Sequence, residues 1–239
     1  MDAQLRQDPF LAAHLERPAY TLAEDASGAG LDQAVERLRR EAAFCQAKAP
    51  VADLGRVAEL EGAGFRLVDT LITMDHPGGI TAGAQASCTV RAAAQDDEDA
   101  VRRLAGTCFS RSRFHLDPRI PRSRADAFKA DWAGNYFLGK RGDAMLVAEA
   151  GGQVMGFLQL LDKDDVRVID LVAVARNLRG QGLGRALLAA GEATVPAPKG
   201  WLVGTQAANT ASLRFYEGLG FRFQSALYVL HFHGDAKCA

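Results

Sequence analysis

The chain has 239 residues and a balanced charge, with 28 Lys and Arg against 29 Asp and Glu, and 48% of its residues are hydrophobic. This balance excludes nucleic acid and anionic membrane surfaces as general partners. No apolar run approaches the ~20 residues needed to cross a bilayer, and the polar start of the chain lacks the apolar core of a signal peptide. We therefore expect a cytoplasmic protein.

The cysteines and histidines do not follow the spacing of a metal site. The four cysteines are scattered and form no C-x-x-C pair: Cys45, Cys88, Cys108 and Cys238. They are predicted to be free thiols in a reducing compartment. His231 and His233 would share one face of a strand, but their place near the end of the chain predicts that they face solvent. We therefore expect no metal.

Composition divides the chain into two parts. Residues 76–87 are rich in Gly, Pro, Ala and Ser, which predicts a linker between residues 1–75 and residues 88–233. Residues 234–239 are predicted to form a flexible tail.

A short internal repeat connects the two parts. The segment EGAGFR at residues 61–66 resembles EGLGFR at residues 217–222, an offset of 156, and an apolar strand pattern follows each. A Gln-Ala pair also lies upstream of each, at Gln46 and Gln206. The first part is therefore predicted to be a shortened copy of the C-terminal half; chance similarity of a helix–glycine–strand unit is the alternative. Because Leu60 stands where the second copy has Tyr216, and no glycine loop precedes it, the first copy should be catalytically silent.

The second part alternates strand and helix patterns. Strands are predicted over 87–92, 144–149, 153–161, 166–174, 201–205 and 221–232, and helices over 96–108, 122–135, 182–194 and 209–219, with a charged turn at 162–165. This order indicates a mixed α+β fold with a central, mainly antiparallel sheet flanked by helices.

A glycine-rich turn joins the strand over 166–174 to the next helix. It reads Arg179-Gly180-Gln181-Gly182-Leu183-Gly184. In such a turn several backbone N–H groups converge, and the helix adds the positive end of its dipole, so two phosphates of a coenzyme fit there. The Gly-Lys-Ser/Thr of a Walker loop is absent, and Arg185 stands where a dinucleotide fingerprint needs its third glycine. A turn that binds no ligand is the alternative.

The helix over 209–219 places polar residues on one face. Asn209 is a good N-cap, and Ser212 and Tyr216 follow it at helical spacing. A tyrosine there could protonate a departing thiolate as a general acid. The alternative is a buried tyrosine that bonds a backbone carbonyl.

Asp170 is a carboxylate inside an apolar strand, Val-Ile-Asp-Leu-Val. Either it faces solvent at a sheet edge, or it meets the substrate amine and takes its proton as a base. Burial would raise its pKa and suit that task.

The segment over 110–121 is at once basic, polar and aromatic. Arg113 can grip phosphate, and Phe114 or His115 can stack on a ring. Trp132 and Tyr136 follow downstream and complete the predicted substrate-binding set. The alternative is an ordinary surface loop with Phe114 packed into the core.

Together, the Arg/Gln-x-x-Gly-x-Gly turn after an apolar strand and the Asn209…Tyr216…Gly220-Phe221 pattern resemble the GNAT N-acetyltransferase superfamily. The resemblance implies a GNAT fold and acetyl-CoA as cosubstrate. It implies that the coenzyme is bound by Leu171, Val172, Ala173, Val174, Arg179, Gly180, Gln181, Gly182, Leu183, Gly184, Arg185, Asn209 and Ser212. It further implies that the backbone over 171–174 polarises the acetyl carbonyl and that Tyr216 is the acid.

Ser112-Arg113-Phe114 and Trp132, taken with the glycine turn, resemble the TDP-fucosamine N-acetyltransferase group of that superfamily. Those enzymes acetylate the 4-amino group of nucleotide-linked 4-amino-4,6-dideoxyhexoses for surface polysaccharides and carry an N-terminal extension that resembles part of a GNAT fold. The resemblance implies direct acetyl transfer to a nucleotide-linked amino sugar. The alternatives are transfer to a peptide N-terminus or a small-molecule amine, and a CoA-binding sensor without turnover. A homodimer is left open by the apolar last strand.

Overall fold

The computed structural model describes residues 4–83, 88–194 and 199–234. The strands are β1 (Leu5–Gln7), β2 (Ala19–Leu22), β3 (Phe44–Pro50), β4 (Arg66–His76), β5 (Thr89–Ala92), β6 (Ala144–Ala150), β7 (Gln153–Lys163), β8 (Val166–Val174), β9 (Gly200–Gln206) and β10 (Arg222–His233). The helices are α1 (Pro9–Leu15), α2 (Gly28–Arg40), α3 (Leu54–Ala63), α4 (Glu98–Cys108), α5 (Arg113–Leu116), α6 (Arg122–Gly134), α7 (Leu183–Glu192) and α8 (Thr210–Gly218). No helix in these ranges is both long and apolar enough to span a membrane.

All ten strands form one sheet in the order β1-β2-β3-β10-β4-β9-β8-β7-β6-β5. Neighbours are antiparallel except for β2 with β3 and β8 with β9, which are parallel. The predicted mixed, mainly antiparallel sheet with flanking helices is therefore confirmed. The charged turn predicted over 162–165 is shorter than expected, because β7 and β8 pair as far as Lys163 and Val166. The segment expected to be a loop over 110–121 contains the short helix α5.

The sheet has an internal pseudo-symmetry. From one edge the sheet contains β1, β2, β3 and β4 in sequence, with β10 inserted between β3 and β4. From the other direction it contains β7, β8, β9 and β10 in sequence, with β4 inserted between β9 and β10. An offset of 156 residues superposes β3 on β9 and the start of α3 on the start of α8. Under this offset Gln46 corresponds to Leu202, so the upstream Gln-Ala match with Gln206 does not belong to the repeat.

The two halves exchange their last strands. β10 lies between β3 and β4, and β4 lies between β10 and β9. The described part of the predicted linker also packs on the second half, because Ile80 is buried among its core residues and the Gly79 N–H donates to Glu192. The division into two domains stays a prediction, and residues 84–87 of the linker and 235–239 of the tail lie outside the described residues.

Alternation along the central strands separates two buried faces. On β10, Leu230 and Phe232 pack in the cluster that involves α2 and α3, whereas His231 faces the opposite side, where α1, α5 and α6 pack. The helices α7 and α8 cover the second half of the sheet, and α4 covers its other face.

Candidate active site

The parallel strands β8 and β9 separate at their carboxyl ends. Their pairing runs from Val166 with Gly200 to Ile169 with Val203 and stops there, although β8 continues to Val174. A cavity of about 940 Å³ opens in this gap. Among the predicted coenzyme residues, those lining the cavity are Val172, Ala173, Val174, Arg179, Gly180, Gly182, Leu183, Gly184, Arg185, Asn209 and Ser212. Leu171 packs instead in the core beneath α4, and the Gln181 amide donates to the Asn177 carbonyl.

The glycine turn forms one end of this cavity. Gly180 and Gly182 have φ of 78° and 83°, a region that side chains disfavour. Gly182 is the N-cap of α7 and provides no side-chain acceptor for the first N–H groups of the helix. At Gly184 a Cβ would lie 3.0 Å from the Phe215 ring, so glycine permits the close approach of α7 and α8. These features leave a helix start open to an anionic ligand.

Five arginines line the cavity: Arg111, Arg176, Arg179, Arg185 and Arg214. Arg179 donates to the carbonyls of Val174 and Cys108, and Arg185 donates to that of Thr81, so backbone contacts hold both side chains. Arg176 and Arg214 lie outside the glycine motif, which gave no signal for them. The charge of this set and the open helix start fit the phosphates of a coenzyme.

The matching helix start in the first half is closed. The Gly28 N–H at the start of α2 donates to Glu59 Oε1 at 2.9 Å. This backbone bond and the Arg56 side chain lower the pKa of Glu59. A carboxylate of the chain itself therefore takes the position that an external anion would need. That this copy holds no coenzyme stays a prediction.

Tyr216 lies behind the cavity wall. Only 3% of the residue is exposed, and its ring packs between Phe215 and Phe221 at centroid distances of 5.2 and 5.3 Å. Burial raises the pKa of the phenol. Its neighbours on α8, Asn209 and Ser212, do line the cavity. Its role as an acid stays a prediction.

Asp170 is the extra residue of a β-bulge. Gln159 pairs with Leu171, whereas Leu160 pairs with Ile169, so Asp170 has no opposite partner. A bulge redirects the side chain of the extra residue. The Asp170 carboxylate accepts hydrogen bonds from Trp132 Nε1 at 2.9 Å and from Gln159 Nε2 at 3.1 Å. It also accepts from Nε and Nη2 of Arg141, at 2.7 and 2.6 Å. An incoming ammonium would compete with these donors. The base role predicted for Asp170 therefore stays a prediction that the geometry does not favour.

Lys129 on α6 is a buried cation that sequence reasoning missed. It is 9% exposed, and its Nζ lies 4.5 Å from the ring centre of Trp132 and 5.1 Å from that of Phe109. Burial lowers its pKa to about 7. The Trp132 ring also contacts Arg141, 4.7 Å from its centre. Trp132 therefore joins α6 to the Asp170 network, and its predicted contact with substrate stays a prediction.

The predicted substrate residues on α5 point into the protein. Phe114 is 2% exposed and lies 4.5 Å from Phe128. The ring of His115 bonds Ser112 Oγ and Asp126 Oδ1, and burial lowers its pKa. Both side chains are thus occupied within the fold, which corrects the expectation that they face a ligand. The physical reason is that α5 closes the core over β3 and β10.

The side chains of Arg113 and Tyr136 also contact other residues of the protein. Arg113 Nε donates to Gln46 Oε1 at 3.0 Å, and burial lowers the pKa of Arg113 to about 10. Tyr136 packs edge-on against Phe137 at 5.3 Å. Neither lines the cavity, whereas Ser110 and Arg111 of the same segment do.

Asp117, His231 and His233 form a buried cluster. Asp117 Oδ2 lies 2.7 Å from His231 Nδ1 and 2.8 Å from His233 Nε2, so the expectation that these histidines face solvent is wrong. The three residues are also close enough to hold a metal ion. However, Arg17 donates to His233 Nδ1 at 2.6 Å, which places the ring proton on Nε2, toward Asp117. The arrangement therefore fits a hydrogen-bonded link between the 117–121 loop and β10 better than a metal site.

Two known proteins are similar to this chain in sequence. The chain is 32% identical over 137 residues to the spore coat polysaccharide biosynthesis protein SpsD of Bacillus subtilis (strain 168), a match over 56% of this chain and 47% of that protein, so it spans less than half of that relative. It is 29% identical over 224 residues to a dTDP-fucosamine acetyltransferase of Escherichia coli O6:H1, over 84% of this chain and 92% of that protein.

Solved structures show the same fold. A GCN5-related N-acetyltransferase from Sphaerobacter thermophilus has a TM-score of 0.63 at 16% identity, over 97% of this chain and 76% of the other. A tandem GNAT protein from the clavulanic acid biosynthesis pathway has a TM-score of 0.65 at 13% identity, over 92% and 77%. The family model for the acetyltransferase (GNAT) family matches residues 99–221, just over half of the chain. This chain therefore belongs to the GNAT acetyltransferase family.

Proposed function

We propose that the protein is an acetyl-CoA-dependent N-acetyltransferase that acts by direct transfer on the amino group of a nucleotide-linked amino sugar, of the 4-amino-4,6-dideoxyhexose type. The observation that carries the proposal is the cavity between β8 and β9, which ends on the uncapped start of α7. When bound, acetyl-CoA supplies an activated acetyl group.

The residues that line the cavity have two proposed roles, and Tyr216, behind the cavity wall, has a third. The N–H groups from Gly180 to Gly184 bind the pyrophosphate, with Arg176 and Arg214 beside them. The free edge of β8 over residues 171–174 binds the pantetheine arm and directs a backbone N–H at the acetyl carbonyl. Tyr216 returns a proton to the leaving thiolate.

Two observations support the class of acceptor. Both curated relatives carry names from sugar or polysaccharide chemistry. In addition, Arg111 lines the cavity and donates to the Ala208 carbonyl at 2.8 Å, so the wall formed by residues 110–112, where we place the acceptor, carries a cation. A nucleotide diphosphate suits such a side better than the N-terminus of a peptide.

The test combines binding and turnover. Calorimetry with CoA should detect binding, and free thiol should be released from acetyl-CoA in the presence of at least one member of a panel of UDP- and TDP-linked amino sugars. Matched controls are the same nucleotide sugars carrying a hydroxyl in place of the amine. Turnover only with a peptide N-terminus or a small amine would overturn the acceptor class. Binding without any turnover would favour a sensor.

A further inference from the structure

Asp69 lies on β4 next to the carboxyl end of β9, although it belongs to the first half of the chain. Its strand β4 pairs with β9, with Leu71 opposite Gln206, and the Ala207 N–H donates to the Thr70 carbonyl at 2.8 Å. Residues 69 and 71 share a face of β4, and Gln206, which lines the cavity, lies on that face. The register therefore places Asp69 beside the turn between Gln206 and Asn209.

The carboxylate of Asp69 is buried, and only one of its two oxygens accepts a hydrogen bond from the described residues. The residue is 6% exposed, and Oδ1 accepts the Thr70 N–H at 2.8 Å. Oδ2 is buried and has no hydrogen-bond partner among the residues that the structure describes. Buried polar atoms are nearly always bonded, so an unbonded carboxylate oxygen requires an explanation. A ligand that donates a hydrogen bond would provide one.

The charges around Asp69 do not neutralise it. Arg113 on α5 faces it and interacts at a distance, but donates to Gln46 instead. Lys48 on β3 and His231 on β10 lie on the same face of the sheet, and the neighbours on the β9 side, Gln206 and Asn209, are uncharged. Burial raises the pKa of Asp69 to about 6, a value suited to a base near neutral pH.

We propose that Asp69 Oδ2 receives the proton of the acceptor amine. This inference rests on the proposed function. The acceptor ammonium donates to Oδ2 and transfers one proton, so that Asp69 becomes neutral and the nitrogen gains a free electron pair. The nitrogen then bonds to the thioester carbon, the carbon–sulfur bond breaks, and the thiolate takes a proton from Tyr216. The nitrogen loses its second proton as the amide forms, and this proton returns through water to the Tyr216 phenolate. Asp69 releases its proton to water. The first half of the chain thus lacks a coenzyme site but contributes a catalytic residue.

The experiment compares Asp69→Asn with Asp75→Asn, a matched change on the same strand outside the site. Asparagine keeps the shape of the side chain and an acceptor for the Thr70 N–H. We expect kcat to fall by about 10²-fold or more in Asp69→Asn, with the affinity for acetyl-CoA unchanged, and the acid limb of kcat/KM near pH 6 to disappear. Asp75→Asn should match the wild type, and Asp69→Glu, which keeps a carboxylate, should retain the acid limb.

A stability measurement separates this role from a structural one. Because the ionised carboxylate is buried and its Oδ2 has no partner among the described residues, Asp69→Asn should unfold at the same or a higher urea concentration than the wild type at pH 8. A kcat within twofold of the wild type with the acid limb kept, or a loss of activity that parallels a loss of folded protein, would overturn the proposal. Failure of the wild type itself to turn over any amine would instead refute the proposed function.

Discussion

The phenol of Tyr216 is held between Phe215 and Phe221, and burial keeps its pKa raised. It therefore remains protonated across the working range of an enzyme, as a general acid requires. In Tyr216→Phe we expect kcat to fall by roughly 100-fold, because only the hydroxyl is lost, while calorimetry shows unchanged affinity for CoA. The matched control is Tyr228→Phe, because Tyr228 is a partly buried tyrosine of β10. Equal rates for both variants would remove Tyr216 as the acid.

The Asp117, His231 and His233 cluster makes stability depend on pH. Burial lowers the pKa of His231 to about 4, below that of an unfolded histidine near ~6.5. Between these values the unfolded chain binds the proton and the folded chain does not, so acidification favours unfolding. Although burial opposes it, hydrogen bonds from both histidines lower the pKa of Asp117, which adds a further loss at lower pH.

We therefore expect the free energy of unfolding to fall as the pH drops from 6.5 toward 4, and to fall less in His231→Asn. Urea unfolding of both proteins at pH 7.5, 6.0 and 4.5 measures the difference. Asp69 contributes with the opposite sign, because its raised pKa favours the folded state on acidification, so only the comparison between variant and wild type isolates His231. Parallel curves for the two proteins would contradict the expectation.

At the scale of elements, the contact between α7 and α8 depends on Gly184. A methyl group there would meet the Phe215 ring at 3.0 Å, so Gly184→Ala should lower the free energy of unfolding by about 1–3 kcal/mol. It should also weaken CoA binding in calorimetry, because the proposed anion site lies at the start of α7. In α3, Gly62→Ala meets no atom within 4 Å, so it should be neutral or stabilising by up to about 1 kcal/mol. The same cost for both glycines would show that helix contact is not the cause.

At the scale of the whole molecule, each half of the chain supplies strand partners to the other half. A fragment of residues 88–239 would deprive β10 of both of its neighbours, β3 and β4, and leave two strands with open edges. We expect this fragment not to unfold cooperatively in urea, and the addition of residues 1–83 as a second chain to restore both cooperative unfolding and CoA binding. A fragment that unfolds cooperatively and binds CoA like the full chain would contradict the structural need for strand exchange.

The homodimer predicted from the apolar last strand stays a prediction. Phe223 of β10 is 63% exposed and Leu67 of the neighbouring β4 is 48% exposed, so apolar surface does remain on the central strands. Size measurement in solution decides between one copy and two.

The sequence by itself determined most elements of the second half and the glycine turn, because periodicity, the Asn209 cap and glycines suited to positive φ act over a few neighbouring residues. It also indicated the repeat of helix, glycine and strand. Only the tertiary structure decided where β4 and β10 pair, since strand partners far apart in the chain leave no local signal. That pairing placed Asp69 beside the end of β9, whose Gln206 lines the cavity, and buried His231 beside Asp117. Packing of α5 turned Phe114 into the core. Burial and partners, which set the chemistry of these side chains, are properties of the assembled sheet.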